Sequence, residues 1–118
     1  MILLIDGDLD AAGTWEAALA SAGYRVQVVA NGRAALELLE TGFVPDAIVT
    51  ELMLPVMNGF ELLRILRREP EWRAVPVLIA SANRGYQPSD LGVAAMLRKP
   101  VALEELVGSV ARVLGRAA

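Results

Sequence analysis

Apolar runs alternate with amphipathic stretches along nearly the whole of this 118-residue chain, and that rhythm limits the folds open to it. Residues 2–5, 25–30, 46–51, 76–81 and 93–98 read as strands. They are near-continuous apolar runs rather than strict alternations, which suits a parallel sheet covered on both faces. Between them lie stretches with apolar residues at helical spacing. Trp15 and Leu19 share a face in 9–22, and Leu36 and Leu39 do so in 33–40. Phe60, Leu62, Leu63, Ile65 and Leu66 supply the apolar side of a third helix opening at Gly59. Leu103, Leu106, Val107, Val110 and Val113 mark a last helix over 101–114. Residues 83–92 contain Gly85, Pro88 and Gly92, all poor in a helix interior, so a fourth helix there is shortened or irregular. Right-handed crossovers then place helices on both sides of the sheet. The expectation is an α/β fold of three layers, αβα, in one domain over residues 1–118.

Composition removes several function classes. The chain has no cysteine and no histidine, so it offers no disulfide, no thiolate or imidazole metal ligand and no histidine base. At 55% hydrophobic residues it is too apolar for disorder. No run is long enough to span a membrane, and Met1 leads straight into an apolar strand with no basic leader. A cytoplasmic protein is expected. A net charge of −3 is too mild to indicate nucleic acid, and Arg64, Arg67 and Arg68 read as a solvated helix face. Against ten arginines stands a single lysine, Lys99.

In an open parallel sheet, sites form beyond the carboxyl ends of the strands. That rule selects Asp6 and Asp8 after the first strand, Glu51 after the third, Ser81 after the fourth and Lys99 after the fifth. Clustered carboxylates raise one another's pKa unless a cation is near. In a chain that otherwise uses arginine, a compact ammonium at one strand end suggests a point-charge role.

Four stretches in order resemble the response-regulator receiver domain. They are Ile2-Leu-Leu-Ile-Asp6-Gly-Asp8, then Pro45-Asp-Ala-Ile-Val-Thr-Glu51 with Leu54-Pro55-Val-Met57-Asn58-Gly59, then Pro76-Val-Leu-Ile-Ala-Ser81, and Leu97-Arg98-Lys99-Pro100. Glu51 follows Asp6 by 45 residues and Ser81 follows Glu51 by 30, as in that family. The resemblance implies a CheY-like, flavodoxin-like fold with strand order 2-1-3-4-5 and a role in two-component phosphorelay signalling. It makes Glu51 the phosphoacceptor-equivalent position, Asp6 and Asp8 the acidic pocket, Ser81 the switch hydroxyl and Lys99 the phosphate-sensing lysine. It also implies a cis peptide at Lys99-Pro100.

The departures from the family pattern are as informative as the matches. The family's acceptor is an aspartate, and a glutamate carries its oxygens one methylene further. A misplacement of about 1 Å can cost roughly 100-fold in rate. Gly7 stands where a Mg²⁺-binding acid is usual, so metal binding is expected to be absent or weak. Met96 replaces the aromatic switch residue three positions before the lysine. Asp6, Glu51 and Lys99 sum to a formal −1, against −2 for a pocket with the family's three carboxylates and lysine. These changes predict a pseudo-receiver that is neither phosphorylated nor an enzyme, with no cofactor, in which Glu51 pairs with Lys99. Partners are expected to be proteins, on a face made by the fourth-helix stretch, strand five and the last helix, with a homodimer as one form. Neither nucleic acid nor membrane is expected.

Two other readings of the same residues are open. A receiver that still binds metal weakly and responds to phosphorylation is one. The other is a haloacid-dehalogenase-like phosphatase with Asp6 as nucleophile, although Asp10 and the lack of a downstream acidic pair fit it poorly. A calcium loop over Asp6, Asp8 and Asp10 fails because Ala11 and Ala17 fill the required glycine and glutamate positions. Asp8 or Asp10 is instead expected to cap the first helix. Trp15 and Trp72 are expected to be packing residues, and Asn58-Gly59 a turn into the third helix.

Overall fold

A computed structural model describes residues 1–54, 56–82 and 91–115. Five parallel strands form one sheet in the order β2-β1-β3-β4-β5: β1 (Ile2–Ile5), β2 (Val26–Val29), β3 (Ala47–Glu51), β4 (Val77–Ser81) and β5 (Ala95–Arg98). The described helices are α1 (Leu9–Ser21), α2 (Gly32–Glu40), α3 (Gly59–Arg68) and the last helix, α4 (Leu103–Val113). The expected order and strand arrangement are therefore present, with element ends within two residues of those read from sequence. The expected irregular helix falls on 83–92, of which only Leu91 and Gly92 lie inside the described residues.

The pleat sorts the core into two halves, because successive strand side chains point to opposite faces. Leu3, Ile5, Ile48, Val77 and Ile79 meet Leu36, Leu39, Leu62 and Leu66 on the side of α2 and α3. Ile2, Leu4, Val49, Leu78 and Leu97 meet Trp15, Leu19, Leu106 and Val110 on the side of α1 and α4. Both faces of the central strands β1, β3 and β4 are thus dry, which is why those strands are mainly apolar, while the edge strands β2 and β5 are only partly buried. Leu103 departs from expectation. It opens α4 and is 40% exposed, sharing a groove with the 69%-exposed Leu9 instead of joining the core.

Local chemistry fixes where three helices begin. Asp8 accepts from the Asp10 and Ala11 amides at 3.1 and 3.2 Å and caps α1. Asn31 caps α2 through the Ala34 amide, and Asn58 caps α3 through the Glu61 amide. Two glycines permit close approach at the strand-end loops. A Cβ at Gly32 would lie 2.8 Å from the Met57 carbonyl oxygen, and one at Gly59 would lie 3.0 Å from Leu52 Cα. The loop after β3 is therefore packed directly against the starts of α2 and α3.

Candidate functional site

Asp6 continues β1, Glu51 ends β3, Ser81 ends β4 and Lys99 follows β5, so the four meet at the carboxyl edge of the sheet. They line one open pocket of about 600 Å³ together with Gly7, Asp8, Met53 and Ala82. The sequence-derived positions Asp6, Gly7, Asp8, Glu51, Ser81 and Lys99 are all in this pocket. Met96 is not. It stands in register with Ile79 and packs against the α2–α3 half of the core.

The Lys99 ammonium forms an ion pair with Glu51 Oε2, and Asp6 Oδ2 lies 3.8 Å from it. The carboxylates are largely enclosed, with side chains 8% (Asp6) and 13% (Glu51) exposed, while that of Lys99 is 30% exposed. Burial alone disfavours the ammonium. The hydrogen bond and charge of Glu51, with the charges of Asp6 and Asp8, more than offset it, so the Lys99 pKa lies above the usual lysine value. The other Glu51 oxygen, Oε1, accepts from the Leu52 amide at 3.0 Å and faces the Met53 amide at 3.4 Å. Both oxygens of the acceptor-position carboxylate are thereby engaged.

Asp6 Oδ1 accepts from the Asp8 amide at 2.9 Å, which holds the turn after β1. Asp8 reaches the pocket wall, but its Oδ1 is committed to the α1 cap. Ser81 is buried, and its carbonyl accepts from the Lys99 amide at 3.0 Å, tying β4 to the residue that carries the ammonium. The Lys99-Pro100 peptide is cis, as the family resemblance implied.

Magnesium takes six oxygens in near-octahedral array. Asp6 offers one carboxylate, Gly7 offers no side chain, and Glu51 is paired to Lys99. Among the described residues no three side chains of ligand type converge on one point. The donor set here does not fit that ion well.

Sequence reasoning missed one neighbour. Trp15 was expected to be a packing residue only, and it does pack in the α1–α4 half of the core. Its ring also lies under Lys99, with Nζ 5.9 Å from the ring centroid. Spacing cannot reveal a contact between residues 84 positions apart, although Trp15 is the only aromatic residue in α1.

The sequence matches the family described as response regulator receiver domain over residues 2–111. This chain belongs to that family of signalling domains. It is 34% identical over 117 residues to response regulator MprA of Mycolicibacterium vanbaalenii, covering 98% of this chain and 50% of that protein. It is 32% identical to protein RcaC of Microchaete diplosiphon, covering 98% of this chain and 18% of that one. The chain thus spans half or less of these curated relatives. Among solved structures, chemotaxis response regulator CheY4 of Vibrio cholerae superposes with a TM-score of 0.85 at 27% identity, covering 95% of this chain and 96% of that one. The receiver domain of sensor histidine kinase PA1611 of Pseudomonas aeruginosa, solved with a magnesium ion coordinated in its active-site cleft, superposes with a TM-score of 0.86 at 32% identity, covering 97% and 96%. Among the described residues no helix is long and apolar enough to cross a membrane.

Proposed function

We propose that this domain is a pseudo-receiver, held in one charge-paired arrangement and used as a protein-interaction module rather than as a phosphoryl acceptor. The Glu51–Lys99 ion pair carries the reading. An attacking carboxylate oxygen must be free and in line with the incoming phosphoryl group. Here one Glu51 oxygen holds the lysine and the other faces the amides that follow it. Charge on a transferring phosphoryl group also needs a metal to neutralise it, and Gly7 removes a carboxylate where such an ion would sit. Magnesium binding is accordingly absent or weak, and the domain catalyses no reaction of its own.

The Glu51 carboxylate, carried further out than an aspartate's, takes the place beside Lys99 that a phosphoryl group would otherwise claim. The output face includes β5 and α4, presented to a protein partner in the cytoplasm or to a second copy of the chain. Neither nucleic acid nor membrane is a partner of this domain. Intact-mass measurement after incubation with acetyl phosphate and Mg²⁺ tests the central claim. No added mass is expected, and one phosphoryl group localised to Glu51 would overturn it.

A second reading has one observation in its favour. The PA1611 receiver, 32% identical, holds magnesium in its cleft, and Asp6, Ser81 and Lys99 line the corresponding pocket here. A weakly metal-binding, phosphorylation-responsive domain would show saturable Mg²⁺-dependent shifts of the Asp6 and Glu51 resonances in the millimolar range or below. The pseudo-receiver reading expects none.

A further inference from the structure

The ammonium of Lys99 has carboxylates on its polar side, yet carboxylates alone do not fix a four-carbon stem. A second wall is needed, and the fold supplies one from an unexpected place. Strand parity carries Leu97 and the following Lys99 toward the α1–α4 side of the sheet, since Leu97 is in register with Ala80, and Ala80 with Glu51. On that side the inner face of α1 presents Trp15, a 9%-exposed member of the same core half as Leu97 and Ala80. The ammonium stands 5.9 Å from the indole centroid, within the range at which the negative face of an aromatic ring attracts a cation.

We infer that Trp15 is a positioning residue for Lys99: its ring is the platform that keeps the ammonium turned into the pocket toward Glu51 and Asp6. An aliphatic side chain here would still face the core but would offer the ammonium no such attraction. The contact ties α1 to the charge balance of the pocket. Any anion or substitution that draws Lys99 away also changes what the indole faces. This inference builds on the reading of Lys99 as the pocket's fixed cation, but it can fail separately. Phosphorylation of Glu51 would remove that reading without deciding whether the unmodified protein holds Lys99 over Trp15.

Lys99 is the sole lysine of the chain, so lysine labelled with ¹³C at the ε-carbon gives one side-chain signal. The unfolded chain in urea supplies the reference position. In the folded protein the ε-methylene protons are expected upfield of that reference, because the ammonium they adjoin stands over the ring face. Trp15→Phe should keep an upfield shift of reduced size, and Trp15→Leu should abolish it. Glu51→Gln should alter the shift without removing it. Removing the indole removes its ring current whatever its role, so the deciding readout is the mobility of the Lys99 ε-carbon, measured by ¹³C relaxation. It should rise above wild type in Trp15→Leu and rise less in Trp15→Phe, which keeps an aromatic face. Were Trp15 only a packing residue, both variants would leave that mobility unchanged. That result, or a folded wild-type signal coincident with the unfolded one, would overturn the inference, and Trp15→Phe decides the matter where Trp15→Leu fails to fold.

Discussion

Glu51 at the end of β3 and Lys99 just past β5 are separated in the sheet by the whole width of β4, and their charged ends nevertheless meet above it. Lys99→Met would leave Asp6 and Glu51 facing each other without a cation. Breaking a fully buried pair costs roughly 3–5 kcal/mol. With the lysine side chain 30% exposed, screening brings the expected loss to about 1–2 kcal/mol. Urea denaturation at pH 7 checks this, and adding Glu51→Gln should recover part of the loss.

The raised pKa of Lys99 sets a pH signature. A group whose folded pKa exceeds its unfolded value stabilises the fold fully below the unfolded pKa and loses that contribution as pH rises through the folded one. The difference in urea midpoint between wild type and Lys99→Met should therefore be flat from neutral pH to about pH 9, below the usual lysine value near 10.4. It should shrink at higher pH. A difference that grows there would contradict the assignment.

Restoring family chemistry should take two changes and not one. Gly7→Asp supplies a carboxylate beside Asp6, at the mouth of the pocket. Glu51→Asp shortens the carboxylate away from Lys99. The double variant should gain Mg²⁺-dependent labelling by acetyl phosphate, read by intact mass, while each single variant labels at least about 10-fold less. No labelling of the double variant would show that the rest of the pocket has also diverged.

Much of this site was legible before any coordinates. The rule that sites lie past the carboxyl ends of parallel strands selected Asp6, Glu51, Ser81 and Lys99, and the sheet places all four in one pocket. It worked because each strand is a short uninterrupted apolar run whose end is unmistakable. Long-range contacts were less legible. Trp15 beneath Lys99 and Gly32 against Met57 depend on how helices lie across the sheet, which periodicity does not encode. Leu103 misled because helical spacing identifies a face but not whether the first turn of a helix reaches the core.

Asp8 is both a pocket residue and the cap of α1. Asp8→Ala removes the acceptor for two amides and should cost about 1 kcal/mol. A thermal melt should show a drop of several degrees. The ¹³C-lysine signal should move little, since the Lys99–Glu51 pair does not pass through Asp8.

Gly32→Ala would press a methyl group to within 2.8 Å of the Met57 carbonyl oxygen. Overpacking of this kind typically costs about 1–3 kcal/mol. Because Met57 lies on the loop that follows Glu51, amide resonances of residues 52–54 should shift along with the loss in urea midpoint. Gly13→Ala, inside α1 where a Cβ would meet nothing within 4 Å, should instead stabilise by roughly 0.5–1 kcal/mol and leave those resonances in place.

Arg67, near the end of α3, donates to the Arg73 carbonyl at 3.2 Å and to the Gly92 carbonyl at 2.6 Å. One guanidinium thus rivets the close of the third crossover to the approach of the edge strand, 25 residues further on. The edge strand has a single neighbour in the sheet, so this rivet sets how firmly it is held at the end opposite Lys99. Cutting it with Arg67→Met would loosen the seam from the far side of the molecule, without touching any charge at the sheet's other rim.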